Sequence, residues 1–472
     1  MRKIYSSNYY RQLPISLQNA LVTVKGLAYY FARNGLRPGA LNKSVRETES
    51  LSEELLRELQ FRNLVSLVTH ARRNVPYYRK KFADIGFHPG DLKNLDDLAL
   101  LPTITKETVV DNYQDFFAEN YRGRVLTTGS TSGTTGASLK LKMDSHLIRL
   151  ERAFALRQFR WAGLPQHGGR VALLRGDMIV PPAQNAPPFW RYDAWNRELW
   201  FSSYHLSEDA VPHYLAELER FDPHIIFAYP SELSALSELT PEDRRRPHLP
   251  SLKGIVTSSE TFFDFERTKI GRMFGMKIGD WYGQFERVIF IGTCEEGSYH
   301  LFPDYGVTEF LPAYCDENGS KQHELIGTGF LNRVMPLIRY RTGDTVVLPE
   351  QPSLCPCGRH FQRVRAVSGR IEDSIITPDG RRLNTVPGML KDIAGIRSAQ
   401  FIQESLGAVT ILVVPGPEFN AVQEEKLNAH FKEQIRARMQ LIIKRVPRIA
   451  PGRNGKIKLV VSTLRKKVRE EF

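Results

Sequence analysis

The sequence predicts an α/β protein in two parts: a large domain of sheets covered by helices, and a smaller α+β unit at the C-terminal end. Beyond Pro102, short apolar runs alternate with helical patterns; Arg170–Leu174, His224–Ala228 and Leu252–Thr257 are examples. Such alternation is what helix-covered sheets require. After Gly369 the character changes: Ala408–Val414 reads as a strand, Glu418–Met439 as a charged helix and Leu441–Val446 as another strand. At 472 residues the chain exceeds what one compact core accommodates. The expected division is a large domain over residues 1–371 and a small one over 372–472.

Taken in order, Leu13–Leu36 is mildly amphipathic, with Leu17, Leu21, Leu27, Tyr29, Tyr30 and Phe31 set among Lys25 and Arg33. Such a segment packs on the body of the protein or rests on a membrane surface, and both readings stay open. Glu47–Val75 follows with leucines at helical spacing, and Pro76 is a natural stop. The hydrophobic fraction of 42% and charged fraction of 25% suit a soluble globular chain. No run of roughly eighteen uncharged apolar residues is present, and no signal peptide is recognisable, so a cytoplasmic protein is expected. A formal charge of +13 is compatible with an acidic membrane surface or a polyanionic substrate, but part of it lies in the tail residues Arg465, Lys466, Lys467 and Arg469, where a solvated basic tail is the favoured reading. No nucleic-acid signature accompanies it, so no nucleic-acid partner is expected.

The most informative stretch is Thr127-Thr128-Gly129-Ser130-Thr131-Ser132-Gly133-Thr134-Thr135-Gly136. Glycines let successive backbone N–H groups face an anion, and the hydroxyls add donors. It is not a Walker loop, because no Gly-Lys-Ser/Thr follows at the required spacing. The order Ser-Thr-Ser-Gly-Thr-Thr-Gly resembles the phosphate loop of the adenylate-forming superfamily of acyl-CoA synthetases. Where that family often continues with Pro and Lys, this chain has Ala137, Ser138 and Leu139 before Lys140.

The resemblance extends through further motifs in the family's order. Ser258-Ser259-Glu260 stands where the family places an adenine-contacting loop. Tyr282-Gly283-Gln284-Phe285-Glu286 is similar to its Tyr-Gly-x-Thr/Ser-Glu, and Tyr340-Arg341-Thr342-Gly343-Asp344 to its Tyr-Arg-Thr-Gly-Asp. The resemblance implies an adenine face at Tyr282, a magnesium ligand at Glu286 and a ribose acceptor at Asp344. Carboxylate oxygens suit both last roles, being hard ligands and acceptors only. Phe285 departs from the pattern and removes a hydroxyl that usually meets phosphate. Ser368-Gly369-Arg370-Ile371-Glu372 resembles the family's domain junction, with Arg370 on ribose or phosphate and Glu372 as the hinge. Near the end, Pro447-Arg448 and Asn454-Gly455-Lys456 resemble the family's closing motif, in which Lys456 would be the catalytic lysine. The implied reaction is attack of a carboxylate on Mg·ATP to give acyl-AMP, then transfer to a thiol such as coenzyme A.

The chain has four cysteines. Cys294, His300, Cys355 and Cys357 provide three thiolates and an imidazole, the donor set of a closed tetrahedral zinc site. Ordinary buried thiols and a surface histidine are the alternative. Their placement resembles the phenylacetate–CoA ligase branch, some members of which carry a structural zinc. Trp281–Arg287 resembles members associated with capsular polysaccharide biosynthesis, which keeps a sugar or carrier acceptor, or a non-catalytic scaffold, beside coenzyme A. Trp190, Trp195, Phe201, Tyr204, Tyr229 and Pro230 make the middle of the large domain aromatic, as an aryl-acid pocket or a packed core would. His205 and His224 are expected to be structural. Cys315 has no evident role.

Overall fold

The computed structural model describes the chain except residues 1–4, 6, 36–38, 131–138, 178, 241–245, 260–261, 263, 316–320, 352, 368–374, 379–381, 384–388, 391–392, 417, 436–438, 448, 450–459 and 463–472. The chain divides into two compact units. The first holds Met1–Gly129 and Leu141–Arg370; the second holds Ser130–Lys140 and Ile371–Phe472. Two short strands, β1 (Thr127–Ser130) and β2 (Lys140–Met143), flank residues 131–138.

The first unit is organised by a nine-stranded sheet. Its strands are β3 (Val171–Leu174), β4 (Trp190–Asp193), β5 (Glu198–Phe201), β6 (Ile225–Ala228), β7 (Gly254–Ser258), β8 (Ile278–Gly283), β9 (Phe290–Thr293), β10 (Tyr299–Leu301) and, after an excursion, β14 (Arg363–Val364). The order across the sheet is β14-β10-β9-β8-β7-β6-β3-β5-β4. The stretch from β8 to β5 is parallel, and β9 and β4 join its sides antiparallel. In β3, β6 and β7 every residue is buried, as central parallel strands covered on both faces must be. The edge strand β4 and its neighbour β5 alternate instead between buried and half-buried.

A second sheet, in the order β11-β12-β13-β15, is built from β11 (Gly306–Cys315), β12 (Lys321–Gly329), β13 (Tyr340–Val347) and β15 (Ala366–Val367). Its β13 is tied to the helical N-terminal region where Ile104 bridges Tyr340. Arg339, at φ 53°, anchors the start of β13 by pairing with Glu309 at 2.7 Å and donating to the carbonyls of Ala99 and Leu101.

The helical expectations hold with shifted ends. The leucine-rich segment folds as Glu53–Asn74, capped by the Ser52 hydroxyl at 3.4 Å from the Leu55 N–H. Thr48–Ser50 before it forms a separate 3₁₀ turn. Pro76 ends that helix by opening another, Pro76–Asp84, where its missing N–H costs nothing. The amphipathic N-terminal segment is a helix, Ile15–Asn34, lying along β4. Asn19 accepts from the Tyr192 N–H at 3.0 Å, Thr23 from the Ala194 N–H at 3.1 Å, and Gln18 from the Arg191 guanidinium at 2.7 Å. Gly26 sits directly on the Asp193 carboxylate, where a Cβ would have no room.

The second unit carries β16 (Ile375–Ile376) and β17 (Arg382–Leu383) as a small hairpin. A four-stranded sheet of order β20-β19-β18-β21 follows, from β18 (Ile396–Ser405), β19 (Ala408–Pro415), β20 (Gln440–Arg445) and β21 (Val460–Ser462). The helix Ala421–Ile435 crosses between the parallel pair β19 and β20. Leu427, Phe431 and Ile435 bury its inner face against Phe401, Val409, Ile411 and Val413. Each such side chain contributes about 1.5–3 kcal/mol by leaving water. This is the α+β unit that the last hundred residues predict.

Candidate functional site

In open parallel sheets, ligands collect beyond the carboxyl ends of the strands. In this sheet those ends present Arg175 after β3, Tyr229 after β6, Ser259 after β7, and Trp281 and Tyr282 at the close of β8. The register of β7 and β8 sets Ser258 against Trp281, so Ser259 and Tyr282 end neighbouring strands. Ser259 holds φ 72°, unusual for a residue with a side chain. Its hydroxyl accepts from Arg175 at 3.2 Å. The Arg175 guanidinium in turn lies 4.0 Å from the centre of the Phe227 ring and 5.1 Å from that of Tyr229, within cation–π range of both. Nothing in a motif search marks Arg175; its place immediately after an apolar run is the only signal.

The strongest convergence joins the two sheets. Tyr282, from β8, donates its hydroxyl to Asp344 Oδ2 at 2.7 Å, and Asp344 stands on β13. Gln284 donates to the Tyr282 oxygen at 3.3 Å, and Tyr340 donates to Glu286 Oε1 at 3.1 Å. Two motifs far apart in the chain, Tyr282–Glu286 and Tyr340–Asp344, therefore form one polar cluster. Asp344 is buried and its N–H is satisfied by the Thr342 hydroxyl at 3.0 Å. Burial, with the Asp344 carboxylate alongside, raises the Tyr282 phenol well above its ordinary range, so it remains a donor. Sequence reasoning made Tyr282 a flat face; the structure adds that its hydroxyl orients Asp344. An oxygen keeps a second lone pair after accepting one bond, so Asp344 retains acceptor capacity.

Gly283 closes β8 in an exposed position, and Ser130 ends β1, also exposed. Phe285 packs its ring edge against Gly129, with ring carbons 2.6 and 2.7 Å from where a Cβ would sit. The Phe285 ring thus lies against the backbone at Gly129. Thr131, Ser132, Gly133, Thr134, Thr135, Gly136, Glu260, Arg370, Glu372 and Lys456 lie outside the described residues.

Beneath Tyr282 is a buried carboxylate that no motif announced. Asp280 accepts from Thr257 at 2.8 Å and from the Tyr299 hydroxyl at 2.8 Å. Burial pushes its carboxyl up to about 6, against those hydrogen bonds and the nearby Arg267. A folded state that holds the proton more tightly than the unfolded chain loses stability as pH rises between the two pKa values. Stability is therefore expected to fall from about pH 4 to about pH 6 and then level, by at most about 3 kcal/mol from this group. In Asp280→Asn that segment of the curve should flatten, as urea unfolding of the two proteins across this range would show. Parallel curves would dismiss Asp280 as the cause.

A second cluster is built on β9, β10 and the turn at residue 355. The donor atoms of Cys294, His300, Cys355 and Cys357 all lie within 4.8 Å of one another. Cys294 Sγ is 3.7 Å from Cys355 Sγ, and Cys357 Sγ is 3.5 Å from His300 Nε2. For zinc bonded to sulfur at about 2.3 Å and nitrogen at about 2.05 Å, tetrahedral edges are about 3.8 and about 3.5 Å. His300 Nδ1 donates to the Phe361 carbonyl at 3.0 Å, which leaves the Nε2 lone pair facing the thiols. Burial lowers the His300 pKa, favouring the neutral ligand form. Two tight turns aim the sulfurs: Gly297 N–H to Cys294 O at 2.9 Å, and Gly358 N–H to Cys355 O at 3.0 Å. Both glycines have positive φ, 80° and 77°. Arg359 straps the turns together through Glu295 at 2.8 Å, and its guanidinium lies 4.3 Å over the Trp161 ring. The residues present fit a zinc ion; without a cation, burial pushes the Cys294 thiol up to about 12.

The aromatic middle of the domain resolves into several roles. Phe201 is core, with Trp190 and Tyr214 against it at 5.9 and 5.4 Å. Trp195 is exposed and meets Tyr30 of the N-terminal helix at 5.9 Å. Tyr229 stands at the strand ends, directly after β6. His205 pairs with Ser202 at 2.7 Å and His224 Nδ1 accepts from the Arg170 N–H at 3.1 Å, both structural roles.

Known proteins resemble this chain at both levels. The family model for the CapK C-terminal domain matches residues 375–463. Protein CapK of Staphylococcus aureus is 26% identical over 349 residues, covering 73% of this chain and 74% of that one. A phenylacetate-coenzyme A ligase of Aromatoleum evansii is 28% identical over 354 residues, covering 73% and 76%. Among solved structures, 2-hydroxyisobutyryl-CoA ligase in complex with 2-HIB-AMP and CoA aligns with a TM-score of 0.58 at 18% identity, covering 90% of this chain and 94% of that one. That likeness establishes the fold.

Proposed function

We propose that this chain, similar to phenylacetate-coenzyme A ligases and protein CapK in sequence and to a CoA ligase in fold, activates a carboxylic acid as acyl-AMP, at the expense of ATP, and passes the acyl group to a thiol. The observation that carries the reading is the Tyr282–Asp344 pair with Glu286 beside it, at the carboxyl ends of the parallel strands. Asp344 binds the ribose hydroxyls, the Tyr282 ring meets adenine, and Ser259 with Glu260 borders the base. Glu286 is the side chain that would hold Mg²⁺, which supplies charge neutralisation on the phosphates. The Ser130–Gly136 segment gathers phosphate oxygens with backbone N–H and hydroxyl groups.

Lys456 places a cation where negative charge builds up as the carboxylate attacks and pyrophosphate leaves. Arg370 adds a second positive group on ribose or phosphate, and Glu372 is the pivot on which the small domain turns for the thiol step. Coenzyme A is the expected thiol, in line with the names of the relatives. A flat aryl acid suits Tyr229 and the stacked Arg175 at the strand ends. The match of residues 375–463 to the CapK C-terminal domain favours a second reading of the final step, transfer to a sugar or carrier acceptor. The Cys294–His300–Cys355–Cys357 cluster is a structural zinc site in this scheme, since four protein donors leave no open position.

The test is carboxylate-dependent ATP–pyrophosphate exchange over a panel of aryl, hydroxy and amino acids, with Lys456→Ala beside the wild type. Exchange with at least one acid is expected, reduced in the variant by roughly 10²–10³-fold, the loss typical of one preorganised charge-stabilising group. Product analysis with coenzyme A then separates the two acceptors. A wild type that binds ATP yet exchanges pyrophosphate with no acid would overturn the proposal.

A further inference from the structure

The docked N-terminal helix has a second face that the sheet does not use. Gln18, Val22 and Gly26 are buried on its inner side, against β4 and the Ile179–Val180 turn. Opposite them, Leu17, Leu21, Val24 and Phe31 are 50%, 39%, 64% and 48% exposed. With the exposed Ala28 they follow a 4-3-4-3 spacing, a single stripe along the full length of the helix. Trp195, half exposed at the end of this stripe, lies 6.4 Å from Phe31. A continuous apolar stripe ending in paired aromatics exceeds the scattered exposure an ordinary surface shows.

Charge decides what covers it. The 46 residues before Glu47 contain eight Lys or Arg and neither Asp nor Glu. Among the described residues, the acids that meet this helix from the body of the protein include Asp193, under Gly26, Asp177, which faces Lys25 and Tyr5, and Glu198, which faces Arg33. A stripe with heptad spacing could pair with a second copy. Pairing would set two segments of this composition against each other, eight Lys or Arg in each and no acid within either to offset them. An anionic bilayer meets both demands, taking the apolar stripe at its acyl boundary and the Lys and Arg at its headgroups. Aromatic side chains are favoured at that same level. We infer that the outer face of Ile15–Asn34, with Trp195, docks the protein in the plane of an anionic membrane surface. This rests on the N-terminal helix and Trp195 and is independent of the proposed chemistry.

Flotation of the full chain with phosphatidylglycerol–phosphatidylethanolamine vesicles, against phosphatidylcholine vesicles, tests it. Wild type is expected to float with the anionic vesicles only, and to be released between about 0.05 M and about 0.5 M salt. Leu21→Gln/Val24→Gln should cut the bound fraction at least about fivefold, because two inserted side chains lose their transfer energy. Both positions are exposed, so an unchanged melting temperature is expected to accompany that loss. The inference is overturned by a wild type that ignores anionic vesicles, by equal binding to phosphatidylcholine, by undiminished binding of the variant, or by a wild-type dimer that the same variant dissociates.

Discussion

Replacing Cys355 with serine is expected to strip the chain of zinc and lower its melting temperature by roughly 5–15 °C. Cys355 is buried with its sulfur 3.7 Å from Cys294, so the change removes one of four ligands and leaves three polar donors without a cation. Structural zinc sites contribute directly to folding, and here the two turns they join carry β9, β10 and the approach to β14. A chelator should reproduce the effect in the wild type. Elemental analysis should find about one zinc per chain in the wild type and none in the variant. Cys315→Ser, at the one cysteine not among the four proposed ligands, serves as the control and should keep its metal. A wild-type chain that purifies without metal, and melts alike with and without chelator, would reduce the cluster to four packed side chains.

The sequence was most legible where chemistry and periodicity coincide. Val171–Leu174, Ile225–Ala228 and Gly254–Ser258 announce themselves as buried strands because parallel strands covered on both faces must be apolar throughout. Cys294, His300, Cys355 and Cys357 could be nominated because thiols and imidazole are rare and their donor set is specific. What stayed hidden are contacts set by the third dimension. Tyr282 and Asp344 are sixty-two positions apart, and no local pattern says that one hydroxyl meets the other carboxylate. Arg175 and Asp280 belong to no motif; the parallel register brings Arg175 to Ser259 across β6 and sets Asp280 against Thr257. Aromatic residues were the least informative: Phe201 and Trp195 look alike in sequence, yet one fills the core and the other meets solvent.

Asp344→Ala is expected to reduce kcat/KM for ATP in the exchange reaction by on the order of 10²–10⁴, chiefly through KM. Two hydrogen bonds from ribose to an ionised acceptor contribute about 1.5–3 kcal/mol each, and both vanish with the carboxylate. The same change leaves the buried Tyr282 hydroxyl without its acceptor at 2.7 Å. Tyr282→Phe removes only the orienting bond, worth about 1 kcal/mol, and should cost no more than roughly tenfold. The double variant is the sharper test, because Tyr282 acts through Asp344. With the carboxylate gone the hydroxyl has nothing to orient, so Tyr282→Phe/Asp344→Ala should be no worse than Asp344→Ala alone. Additive losses would mean that the phenol contacts the nucleotide directly. An Asp344→Ala enzyme within about threefold of wild type would remove the carboxylate from the ribose site, since losing even one bond to an ionised acceptor costs more than that.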